Sequence, residues 1–200
     1  MPLPPSAGSA GRQEIHHRSI DMRGYLRPDG LYDIEGRVCD TKTRDFAPPT
    51  GVTVRAGDFI HDIWVRMTVD TDLVVHEVAS SSDSTPYPIC GEGGLNLQRI
   101  VGLRIAAGWS GEVKRRLGGK QACTHLMELL IPMGTAAFQT IAEVRLARPD
   151  SFDAKGRPHR LDSCTAFSAE RGVVAQRWPD FYAGQQSATD REHDVFFVKR

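Results

Sequence analysis

Two stretches of apolar–polar alternation, Leu31–Asp40 and Phe59–Val69, constrain this chain more than anything else in it. In the first, Tyr32, Ile34 and Val38 alternate with Asp33, Glu35 and Arg37. In the second, Ile63, Val65, Met67 and Val69 share one face, and Asp62, Trp64, Arg66 and Thr68 share the other. Successive side chains of a strand point to opposite faces, so each stretch reads as a strand buried on one side. Pro28-Asp29-Gly30 is a turn that launches the first strand. Asp70-Thr71-Asp72 turns the second back into a partner over Leu73–Ala79. Three strands in an antiparallel meander therefore occupy the first half of the chain.

The periodicity then changes. Leu95–Ile105 holds a short helical stretch. Ser110 can cap a helix that runs to Leu117 and ends at Gly118-Gly119. From about Cys123 to Leu146, Leu126, Leu129, Leu130, Met133, Ala137 and Ile141 form a helical stripe that must pack on something, most simply the sheet. Pro132 is expected to kink that helix or split it. Arg160–Phe167 and Val173–Arg177 read as a late hairpin around Glu170-Arg171-Gly172. The expected fold is α+β: a small antiparallel sheet, a three-strand meander plus the late hairpin, packed by a long helix and one or two short helices. Residues 1–13, rich in Pro, Gly, Ser and Ala, read as a disordered tail. Residues 14–183 read as a single α+β domain and 184–200 as a C-terminal extension carrying the apolar patch Val195-Phe196-Phe197-Val198.

Charge and composition remove several functions. Lys plus Arg number 25 and Asp plus Glu number 25, so no bulk positive charge recommends nucleic acid as a partner. No long basic run suggests an anionic membrane surface, and no apolar run reaches the length of a membrane span. The N-terminus has no secretory pattern, so the expected location is cytoplasmic, where four cysteines read as free thiols or ligands. No phosphate loop, dinucleotide fingerprint, nucleophile elbow or HExxH helix is present, and no nucleotide cofactor is expected.

The chemistry-bearing residues gather around Cys123-Thr124-His125-Leu126-Met127-Glu128. A thiolate at a helix start is stabilised by the free N–H groups there. His125 and Glu128, three apart, share a helix face and compose a positioned general base or a surface pair. Cys90, in the Gly-rich loop Cys90-Gly91-Glu92-Gly93-Gly94, and Cys164 can join Cys123 around one metal ion, zinc or iron, with Glu92, His125 or Asp162 as a fourth ligand. His61 opens the second strand on its apolar side: a core histidine, or a base if that face opens to a pocket, with His76 near it on the neighbouring strand. Asp33, Glu35 and Arg37 share the outward face of the first strand, with Asp40 and Lys42 beyond. They form a solvated face, or a polar wall with Asp33 or Glu35 as acid or base. His16-His17-Arg18 reads as an exposed entry segment.

Arg27-Pro28-Asp29-Gly30-Leu31-Tyr32-Asp33-Ile34-Glu35, Ile60-His61-Asp62-Ile63-Trp64, Pro86-Tyr87-Pro88-Ile89-Cys90, Gly108-Trp109 and Gly118-Gly119-Lys120-Gln121-Ala122-Cys123-Thr124-His125-Leu126 resemble the bacterial family called domain of unknown function 2889. The resemblance runs from about Ile15 to Trp178, with Ala122 where the family usually has Gly, and implies no activity. A looser resemblance, carried by Pro88-Ile89-Cys90-Gly91-Glu92, Cys123 and Cys164, is to iron–sulfur scaffold proteins of the NifU and SufU type. In those scaffolds the acidic residue is Asp and a helix follows the last cysteine.

Three functions follow as expectations. The first is a small catabolic enzyme, a lyase or hydrolase acting on a carbonyl-containing or aromatic small molecule. Its acid–base groups would be His61, His125, Glu128 and Asp33, and Cys123 would be nucleophile or ligand. Its substrate would be walled by Trp64, Trp109, Tyr87 and Arg66. The second is a metal-thiolate scaffold held by Cys90, Cys123 and Cys164. The third is a non-catalytic binding module, motivated by the apolar patch Val195–Val198; for the protein as a whole a homodimer is a candidate assembly.

Overall fold

The structure is a computed structural model and describes residues 11–184. Its sheet has four antiparallel strands in sequential order: β1 (His16–Leu26), β2 (Tyr32–Lys42), β3 (Phe59–Val69) and β4 (Val75–Ser84). The turn between β1 and β2 is the expected one. Gly30 sits at φ 82°, and its N–H donates to the Arg27 carbonyl at 3.1 Å. Asp70 closes the β3–β4 turn, its Oδ1 accepting the N–H groups of Asp72 and Val74.

β1 extends the expected three-strand meander at its edge. Apart from the half-buried Met22, its residues are exposed, so it lacks the apolar alternation that marks β2 and β3. Charged residues along an edge strand are an ordinary protection against pairing with other chains.

Two helices follow, α1 (Trp109–Leu117) and α2 (Thr124–Thr140), with 3-10 turns over Pro88–Gly94 and Leu97–Ile100 before them. α1 begins two residues earlier than a Ser110 cap would allow, because Gly108 at φ 89° makes the entry. α2 lays Leu126, Leu129, Leu130, Met133 and Ala137 on a single core with Ile34, Val38, Ile63, Val65 and Met67 of the sheet. Gly24 and Gly36 let it approach. A Cβ on Gly36 would lie 2.9 Å from the Met133 sulfur, and one on Gly24 would overlap the Thr140 side chain. Pro132 lies inside α2, and the break instead falls at Ile141, before α3 (Ala142–Leu146).

The chain divides into two compact units, Met1–Leu146 and Ala147–Arg200. In the second unit the late hairpin does not form. Asp162 adopts φ 59° and its carboxylate accepts the Ala169 N–H, which interrupts any strand through Arg160–Phe167. Residues Gly172–Arg177 form a short helix, α4, and Leu161, Val174 and Trp178 make a small core of their own. The patch Val195–Val198 lies outside the described residues.

Candidate active site

Register builds the site. Arg18 of β1 faces Asp40 of β2, which faces His61 of β3. Residues directly opposite in an antiparallel sheet point to the same side. That side also carries Val38 and Ile63, so it is the face under α2. A register irregularity at Asp40/Thr41 marks this end of the β2–β3 ladder.

Asp40 is 2% exposed, and among the described residues the hydrogen bonds to its carboxylate come from one guanidinium and two imidazoles. Its Oδ1 accepts from Arg18 Nε at 2.8 Å and lies 2.8 Å from His16 Nε2. Its Oδ2 accepts from an Arg18 terminal nitrogen at 2.9 Å and lies 2.9 Å from His61 Nδ1. Burial disfavours the charge, but the Arg18 and His16 hydrogen bonds outweigh it and hold the carboxyl well below the usual carboxylate range. An ionised carboxylate only accepts, so the proton of neutral His61 sits on Nδ1 and Nε2 is left as an acceptor. Burial pushes the His61 imidazole down, against the upward pull of Asp40, which keeps the ring neutral.

α2 supplies the opposite wall. Cys123 is its N-cap residue, in extended backbone at φ −64°, ψ 134°, and its carbonyl accepts the Met127 N–H. His125, in the first turn, brings its ring to 4.0 Å from that of His61, centroid to centroid, with the planes tilted by 36°. Its Nδ1 is 3.8 Å from the Cys123 sulfur. Burial raises the thiol's pKa, but the His125 contact and the backbone N–H groups of Leu126 and His125 prevail, and the net shift is downward. The loop before α1 closes against this thiol. Cys123 N–H donates to the Gly93 carbonyl at 3.2 Å, and a Cβ on Gly93 would stand 2.5 Å from that of Cys123.

His61, Cys123 and His125 line an open cleft of about 730 Å³. Tyr87, Ile89 and Leu95 give it an apolar side, while Cys90, Glu92 and Lys120 give it polar and ionisable groups. Of the residues expected from sequence, the cleft therefore gathers His61, His125, Cys123, Cys90 and Tyr87. Glu128 lies beside it, about half exposed, with its carboxylate 3.4 Å from Arg18.

Others lie elsewhere, for plain reasons. Asp33, Trp64 and Arg66 occupy the sheet face away from α2. There Asp33 accepts from Thr68 at 2.6 Å, Trp64 lies under the Arg37 guanidinium and Arg66 pairs with Glu77. Trp109 is a core anchor whose indole N–H donates to the Leu130 carbonyl at 2.9 Å. Cys164 is exposed in the second unit. His76 pairs with Asp70 at the turn. The carboxylate of the site is Asp40, not Asp33, and Arg18 and His16 support it. Its signal was its parity: Asp40 falls in step with Ile34, Gly36 and Val38, the buried series of β2.

Metal ligation has one geometric candidate among the described residues. Ligand atoms of Asp40, His61 and His125 lie within 4.8 Å of one another; the cysteines form no such trio. Imidazole and carboxylate suit zinc or iron. The four hydrogen bonds on Asp40 already occupy its lone pairs, so the arrangement fits a carboxylate that orients a histidine better than one that ligates.

The fold and site thus define an α+β protein with a carboxylate-oriented histidine, a second imidazole and a thiol around one cleft. Residues 16–139 match the family model described as "Protein of unknown function (DUF2889)", and the chain belongs to that family. No curated protein and no solved structure matches it, so the scaffold-protein likeness gains no relative in support.

Proposed function

We propose that this protein is an enzyme, a lyase or hydrolase, that performs acid–base chemistry on a carbonyl-containing small molecule bound in the cleft. The observation that carries the reading is the 2.9 Å pairing of His61 Nδ1 with buried Asp40. A carboxylate that fixes the tautomer and orientation of an imidazole is how a general base is positioned, worth about 10²–10⁴-fold in rate. His61 Nε2 takes a proton from a substrate hydroxyl or a water. His125, stacked beside it, passes a proton to the leaving group or to the developing anion. Tyr87, Ile89 and Leu95 accommodate the apolar or aromatic part of the substrate.

The test is a turnover screen of small hydroxy-carbonyl compounds and esters, aromatic ones included, with wild type and His61→Gln. The variant should keep the fold by circular dichroism and lose at least about 100-fold in kcat/KM. The wild-type acid limb of kcat/KM should lie below pH 6.5, because the base must be unprotonated and its pKa is depressed from that value. Full turnover by a folded His61→Gln protein sinks the proposal.

A second reading is favoured by Cys90 and Cys123 lining the same cleft beside His125. In it, a zinc or iron ion would have to draw these groups together into a metal-thiolate site, since as they stand they form no trio of ligand atoms within 4.8 Å. It requires stoichiometric metal in the purified protein, lost in Cys123→Ser. Metal-free protein that is folded and active overturns it.

A further inference from the structure

The chain is formally neutral, yet one surface of the first unit concentrates positive charge beside the cleft. A second depression, shallow and open to solvent, of about 550 Å³ is lined by Arg99, Arg115, Arg116 and Gln121. Gln121 also lines the cleft that holds His61 and Cys123, and its neighbour Lys120 adds a further cation there. The two cavities share a wall.

The guanidinium groups are held in place. Arg99 donates to the Gln121 side-chain oxygen at 2.7 Å, and Arg116 donates to the Arg99 carbonyl at 2.6 Å. Arg115 and Arg116 both draw on a single carboxylate, Glu112, at 2.6 and 3.2 Å. Among the described residues no carboxylate pairs with Arg99. Three guanidinium groups against one carboxylate leave two net positive charges at this cavity. Cations at the end of α1 complement its dipole, which accounts for Arg115 and Arg116. It does not account for Arg99, which comes from the 3-10 turn Leu97–Ile100 and is fastened next to them. Like charges fixed together repel, and the planar fork of arginine matches an oxyanion.

We infer that Arg99, Arg115 and Arg116 form a recognition pocket for an oxyanion group, phosphate or carboxylate, carried by the substrate whose reactive end lies at His61. The inference rests on reading the cleft as a substrate site. It narrows the substrate class to anionic molecules whose charged end reaches past Gln121.

Calorimetric titration of the full chain with inorganic phosphate, succinate and phenyl phosphate tests it. At least one of inorganic phosphate and succinate should bind saturably, and the stronger of the two identifies the group. Arg99→Ala should weaken that binding by about tenfold or more, the cost of losing a charge-assisted partner. Phenyl phosphate should bind more tightly than phosphate because its ring enters the cleft, and Tyr87→Ala should remove that gain without altering phosphate binding. Absence of saturable binding, binding unchanged in Arg99→Ala, or no gain from the phenyl ring would overturn the proposal. His61→Gln should leave anion binding intact, so failure here and failure of the acid–base reading are separate results.

Discussion

Asp40 shows how much a single residue carries in this molecule. Its carboxylate stands between two histidines and an arginine, takes up every donor aimed at it, and sets the tautomer of His61. Asp40→Asn keeps the volume but removes the charge, and the amide turns one acceptor into a donor facing another donor. The expected loss is about 1–3 kcal/mol of stability, the cost of leaving partly buried donors without their charged acceptor, since Arg18 and His16 are exposed enough to regain part of their hydration. Urea unfolding at neutral pH reads it directly. Because the folded carboxyl titrates below its ordinary 3.8, its contribution is fully present above that pH and is lost as pH falls through the lower folded value. The gap between wild type and Asp40→Asn should therefore be constant near neutrality and shrink only in acid. A gap that vanishes already between pH 6 and 8 contradicts this account.

At the scale of elements, the site depends on how closely the loop before α1 approaches the start of α2. Gly93 leaves no room for a side chain: a Cβ there would meet the Cys123 Cβ at 2.5 Å and its backbone nitrogen at 3.0 Å. Neither atom is the end of a flexible group, so Gly93→Ala must move the loop or the helix start. It should cost about 1–3 kcal/mol and change the rate at which iodoacetamide labels Cys123, followed by peptide mapping. Gly91→Ala, where nothing lies within 4 Å, is the control and should alter neither. Equal behaviour of the two variants would remove the close approach from the argument.

The same elements explain what the sequence could reveal. Alternation in β3 put His61 on the apolar side, and the stripe of α2 put Cys123 and His125 at its start; register then brought them together. Asp40 was grouped with the outward charges of β2 because a charged residue in a buried series looks like the end of the pattern rather than part of it. β1 carries no apolar period because it is exposed, so Arg18 and His16 had no strand to be assigned to. By residue type alone Trp64 and Trp109 suit the walls of a pocket. One is instead stacked under Arg37 on the far face, and the other is spent on the core.

For the molecule as a whole, the family match, the sheet, the large core and both cavities fall within residues 16–146. The second unit rests on Leu161, Val174 and Trp178, tied by Trp178 and Arg177 to Asp150. A chain the length of the first unit buries enough surface to fold unaided, whereas one near the length of the second is marginal without staples. A protein ending at Leu146 should therefore unfold in one cooperative transition and label Cys123 at the rate of the full chain. The fragment from Ala147 should show no cooperative transition of its own. Denaturant unfolding with cysteine labelling on each piece checks this. A 1–146 protein that lacks a cooperative transition would mean that the second unit completes the fold of the first. The candidate site would then have to be treated as a property of the whole chain.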